Sequence, residues 1–101
     1  MDTRLLNIGF GNAVKVNRIL AVVNPGSSHI RKLKEDARVG KKLIDVTEGR
    51  RTRAIIILDS GHLVLSSVQP ETINQRLLAL EQEQRNPARL LEKGKSEDND
   101  G

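Results

Sequence analysis

Cysteine, tryptophan and tyrosine are absent from the sequence, and phenylalanine occurs once, at Phe10. Without cysteine there is neither a disulfide framework nor a thiolate-ligated zinc site. The near-absence of aromatics removes the platforms on which single-stranded nucleic acids and the sheet-based RNA readers stack bases, each worth about 1–3 kcal/mol. Long apolar runs are missing too. The longest, Ile19–Val23 and Ala54–Leu58, fall far short of the roughly 20 residues that span a bilayer. No basic start followed by an apolar core opens the chain, so no signal peptide is expected, and the expectation is a soluble, cytoplasmic protein without a membrane partner.

What is present is charge, unevenly placed. The chain of 101 residues carries 17 Lys and Arg against 13 Asp and Glu, a net +4. Residues 81–101 hold six acidic and four basic side chains, a net −2, which leaves +6 on residues 1–80. This divides the chain into one foldable domain, 1–80, and a charged, largely disordered tail, 81–101. A domain this small buries only about 60% of the surface of its unfolded chain. With disulfides excluded and metals unsupported, partner subunits are the remaining supplement. A basic body also suggests a polyanionic partner, and the lack of stacking platforms points to a duplex rather than a single strand.

Arg4–Phe10 reads as a strand entering a turn at Gly11-Asn12, with Ala13–Val16 as a short return strand or loop. The apolar run Ile19–Val23, stopped by Asn24-Pro25-Gly26, suits a strand covered on both faces. Ser27 or Ser28 caps a helix whose stripe is Ile30, Leu33 and Ala37, and Gly40 is expected to end it in the left-handed conformation. Leu43–Thr47, Thr52–Asp59 and His62–Val68 read as strands, the last two joined at Ser60-Gly61. Two successive hairpins predict an antiparallel sheet over residues 43–68. Pro70 opens a second helix with Glu71 at its positive end and a stripe of Ile73, Leu77 and Leu80. Pro87 breaks any continuation, with one further helical turn available at Ala88–Leu91. The fold class is therefore α+β, a small antiparallel-rich β-sheet with two helices.

Candidate chemistry is thin. Ile8-Gly9-Phe10-Gly11-Asn12 lacks the lysine and hydroxyl pair of a phosphate loop and the third glycine of a dinucleotide fingerprint, so it reads as a tight turn. His29 and His62 lie on different elements with no metal-ligand spacing. Ser27, Ser28, Ser60, Ser66 and Ser67 have no nucleophile context and read as capping and turn residues. No enzyme, cofactor, metal or small-molecule substrate is implied. Gly49-Arg50-Arg51-Thr52-Arg53 stands apart: three arginines in four positions repel one another beside a strand that reads as buried. That arrangement calls for an anion, and arginine forks suit phosphate oxygens. Pairing with Glu48, Asp45 or a neighbouring subunit would be the structural alternative. Arg18, just before an apolar strand, is a lone further candidate. Lys32, Lys34, Lys41 and Lys42 could extend a basic surface or simply solvate a helix and loop.

Asn7–Asn12, Asn17-Arg18, Asp36-Ala37-Arg38, Leu43-Ile44-Asp45, Gly49–Ala54, Asp59-Ser60 with His62, and Val68–Thr72 together resemble the RemA family, bacterial regulators of extracellular-matrix and biofilm genes. The resemblance covers residues 4–78. It implies a transcriptional regulator that binds double-stranded DNA without a helix-turn-helix, as a ring-shaped homo-oligomer associated with the nucleoid. It also implies DNA contacts at Arg18, Arg50 and Arg51, to which the local charge argument adds Arg53. The chain departs from the family pattern by lacking a second proline within Asn24–His29, and by a longer, more charged tail after Leu80. An oligomeric protein-interaction scaffold with incidental nucleic-acid affinity is the alternative function.

Overall fold

The apolar run at the centre of the chain organises everything around it. In a computed structural model, which describes residues 4–85, this run forms a strand in which successive side chains face opposite ways. In chain order the elements are β1 (Leu5–Gly9), β2 (Asn12–Lys15), a 3-10 turn (Val16–Arg18), β3 (Ile19–Val23), α1 (Ser28–Val39), β4 (Leu43–Asp45), β5 (Ala54–Leu58), β6 (Leu63–Ser66) and α2 (Pro70–Arg85). The α+β class with two helices is as expected, but the strands make two sheets. β1 and β2 form a separate hairpin, and the other four are ordered β3-β5-β6-β4.

Three layers result. Ala54 and Ile56 of β5 face the hairpin and α2, meeting Leu6, Ile8 and Ile73. Ile55 faces the other way and packs with Ala37 of α1, Leu63 and Leu65. The continuous Ala-Ile-Ile-Ile-Leu run is thus two alternating faces, each covered. Burying one such side chain is worth about 1.5–3 kcal/mol relative to exposure. β6 is buried along its whole length, so both of its backbone edges need strand partners.

That requirement corrects the expected pair of hairpins. β5 and β6 do form one, turning at Gly61 with φ +87°. β4, however, pairs parallel with the far edge of β6, through Leu43–Leu63, Ile44–Val64 and Asp45–Leu65. The chain then crosses from β4 to β5 through residues 46–53. β3, expected to be covered on both faces, is an edge strand antiparallel to β5, and Leu20 is 68% exposed.

Both helices begin as read. Ser27 caps α1 by accepting from the Ile30 amide at 3.2 Å. The loop before it forms without the second proline, because Asn24 Oδ1 accepts from Gly26 N at 2.9 Å and closes the turn. In α1, Ile30 and Ala37 join the core, while Leu33 is 45% exposed. The left-handed stop lies one residue later than expected. Gly40 has φ −81°, and Lys41 takes φ +60°. Ile73, Leu77 and Leu80 form the packed stripe of α2. This helix runs to Arg85, five residues past the Leu80 boundary read from composition. The remaining tail, including Ala88–Leu91, lies outside the described residues. Neither described helix is long and apolar enough to cross a membrane.

Candidate nucleic-acid interface

The loop between β4 and β5 is built to hold a fixed shape. Asp45 Oδ1 accepts from the Thr47 hydroxyl at 2.7 Å and from its amide at 2.9 Å. These two donors, the hydroxyl first, hold the Asp45 carboxyl below the usual aspartate range. Thr47 is itself buried, and its carbonyl accepts from Arg50 N at 3.0 Å. Between them Glu48 and Gly49 take φ of 53° and 77°, which reverses the chain. A Cβ at Gly49 would meet nothing within 4 Å, so this glycine serves backbone conformation rather than close packing. At the far end Arg53 N donates to Ser66 O at 2.8 Å.

Ser66 underpins that end. Its buried hydroxyl donates to Ile8 O at 2.8 Å and accepts from Val68 N at 3.0 Å, tying the hairpin, β6 and the start of α2 together. On this base Arg50, Arg51 and Arg53 are all exposed. With Ser67 they line a hollow of about 420 Å³. Among the described residues, none of the three guanidiniums has a carboxylate within ion-pair distance. The alternative pairing with Glu48 or Asp45 is therefore not adopted, and three positive charges share one concavity without a counter-ion among the described residues.

Arg18 lies elsewhere. It ends the 3-10 turn before β3, and its Nη1 donates to Asp59 Oδ2 at 3.1 Å while its carbonyl accepts from Asp59 N at 2.8 Å. Asp59 follows the last residue of β5 and Arg53 precedes the first, so roughly 20 Å of extended chain separates them. Arg18 lines a different, more apolar groove of about 380 Å³ with Lys15, Ile44, Val46, Leu58 and Asp59 among its walls. Three of the four candidate arginines are thus brought together, and the fourth stands apart with a partner.

The other candidates take structural places. Gly9-Phe10-Gly11 is the β1–β2 turn, and a 3-10 turn rather than a helix follows β2. His29 is exposed near the start of α1, whereas Nδ1 of His62 lies 2.7 Å from Ser60 Oγ at the β5–β6 turn. Lys42 Nζ donates to Ser60 O at 3.0 Å. On α1, Arg38 Nε donates to Glu35 at 3.0 Å, a pairing that lowers the Glu35 carboxyl and raises the Arg38 guanidinium. One neighbour of the hollow escaped the sequence reading: the Arg50 guanidinium lies 5.8 Å from the Phe10 ring centroid. The only available signal was a lone aromatic between two glycines in a polar turn.

The model of the RemA-like family, described as extracellular matrix regulatory protein A-like, matches residues 5–77, which include the whole arginine loop. The chain belongs to the RemA-like family. Relatives are described more generally, as putative regulatory proteins. A "Putative regulatory protein" of Syntrophobacter fumaroxidans is 63% identical over 78 residues, covering 77% of this chain and 83% of the relative. Proteins of that description from Desulfotalea psychrophila and a Synechococcus strain are 62% and 58% identical, covering 76% and 77% of this chain and 69% and 88% of theirs. A regulatory role follows for this RemA-like chain, and the match ends before the charged tail.

Proposed function

We propose that this RemA-like protein is a DNA-binding transcriptional regulator, and that Arg50, Arg51 and Arg53 grip the phosphates of a duplex with Arg18 as a further contact. The observation that carries this reading is the arginine hollow itself: three exposed guanidiniums on a pinned loop, with no carboxylate partner among the described residues. Clustered like charges repel, and a phosphate backbone relieves that repulsion while accepting paired N–H donors.

Three or four contacts from one protomer give weak binding at physiological salt. A ring of identical protomers repeats them at fixed spacing, so the first subunit to engage raises the effective concentration for the next. Such a surface reads shape and bendability rather than base edges, which favours A·T-rich or flexible duplexes. The protein would accordingly work on the nucleoid, and the family description, extracellular matrix regulatory protein A-like, supports genes of the extracellular matrix as its targets.

A salt titration of duplex binding, run beside light scattering on a sizing column, tests this. Log affinity should fall with log salt by about 0.9 for every phosphate contact. Retardation of a duplex that barely responds to salt would instead favour the protein scaffold, with nucleic acid incidental. A monomer in solution would remove the ring.

A further inference from the structure

Phe10 is the only aromatic residue of the chain, and it sits where an aromatic gains little from folding. It occupies the β1–β2 turn at 50% exposure, with φ +54°. Bulky side chains enter that left-handed region at a cost, whereas glycine and asparagine enter it readily. Gly9 and Gly11 on either side also have positive φ, and the turn is held by short-range bonds. Asn12 Nδ2 donates to the carbonyls of Gly9 and Phe10, and Asn7 Oδ1 accepts from Gly9 N. A Cβ at Gly9 would lie 3.2 Å from Val68 Cγ2 and 3.8 Å from Ser67 Oγ, so the turn abuts a residue that lines the arginine hollow. Neither burial nor backbone preference accounts for a phenyl ring here. Its contact with the Arg50 guanidinium, 5.8 Å from the ring centroid, does.

We propose that Phe10 is a positioning residue for DNA binding: its ring carries the face of the Arg50 guanidinium and leaves the N–H edge free for phosphate. This rests on the DNA-binding reading above. A guanidinium within about 6 Å of a ring's face is attracted by the ring's negative charge density and keeps its planar fork of donors available. Part of the side chain's rotamer freedom is then lost before the duplex arrives, so less is lost on binding.

The test uses the full chain and a short bendable duplex, in the wild-type and Arg50→Ala backgrounds. Phe10→Asn removes the ring while suiting the positive φ, and Phe10→Tyr keeps the ring. Phe10→Asn should weaken binding about two- to fivefold in the wild-type background, the scale of an exposed cation–π contact. It should add nothing once Arg50 is alanine, and Phe10→Tyr should restore binding. In the DNA-free protein, the side-chain protons of Arg50 should show a ring-current shift that Phe10→Asn abolishes. Equal losses in both backgrounds would overturn the proposal and make the ring a direct DNA contact. No loss in either background, or no ring-current shift, would also overturn it while duplex binding stood. If the wild type failed to retard duplex at all, the DNA-binding reading would fall as well.

Discussion

At one end of β5 Arg18 faces Asp59 at 3.1 Å, and at the other Arg50, Arg51 and Arg53 face no carboxylate among the described residues. The same side chain therefore stands in two electrical settings near the two ends of one strand. A guanidinium already paired must exchange one anion for another, so its net gain from phosphate is small. A cluster without a carboxylate partner among the described residues exchanges none of them and is relieved of its own repulsion. The difference ranks the candidates: the β4–β5 loop should dominate affinity, and Arg18 should adjust it.

The most direct way to break this ranking is to empty the loop. Replacing Arg50, Arg51 and Arg53 together by alanine should reduce the salt slope by about 2.7 for each protomer engaged, three contacts at about 0.9 each, and lower affinity near physiological salt by about a hundredfold or more. Arg18→Ala should remove about one contact's worth at most. Gel shifts across a salt series measure both. A larger loss from Arg18→Ala than from the triple substitution would reverse the ranking.

A second test attacks the support rather than the charges. Ser66→Ala would leave the Ile8 carbonyl and the Val68 amide without their buried partner. Such a loss costs about 1–3 kcal/mol, readable as a lower urea midpoint with unchanged slope. Because the Arg53 amide bonds to the Ser66 backbone, the arginines should keep their contacts wherever the protein remains folded. Stability and DNA affinity should thus separate.

The ion pair supplies a finer test. Asp59→Asn removes the competitor of phosphate at Arg18. The pair is largely exposed, with side chains 61% and 39% accessible, and exposed pairs are worth about 0–1 kcal/mol. Binding should tighten by no more than about fivefold, with the gain absent in an Arg18→Ala background. Weaker binding in Asp59→Asn would mean that the carboxylate orients Arg18 rather than competing for it.

How much of this was legible beforehand follows from the range of the forces. Local signals read well: Ser27 as a cap, Gly61 in its turn and the Ile73-Leu77-Leu80 stripe each depend on residues a few positions apart. The parallel pairing of β4 with β6 did not, because it answers to β6 needing a partner on both edges, a condition set only when the layers pack. Leu20 misled for a related reason. An apolar run predicts a strand but not whether that strand is central or at an edge. At the site, the crowding of Arg50, Arg51 and Arg53 was visible as spacing. The Arg18–Asp59 pair joins residues 41 positions apart, and the Phe10–Arg50 contact joins two loops, so neither had a local signature.

The smallest expected effect concerns the base of the arginine loop, where hydrogen bonds from Thr47 outweigh the charge of Lys34. Asp45 accepts from the Thr47 hydroxyl and amide, which favours its ionised form and places its folded pKa below the unfolded value. The sign is then set. The contribution to stability is fully present above about 3.9, the ordinary aspartate value, and is lost as pH falls through the lower folded value. The Thr47 amide resonance should therefore titrate with a midpoint below that of a free aspartate. The stability gap between wild type and Asp45→Ala should be constant from neutral pH down to about 4 and close only below it. Near neutral pH the variant should also show faster hydrogen exchange at the Arg50 amide, whose acceptor is the Thr47 carbonyl. A Thr47 midpoint at or above the ordinary value would mean that Asp45 does not hold the turn. The arginine loop would then need another source for its shape, and the contrast between its pre-set cluster and the paired Arg18 would weaken accordingly.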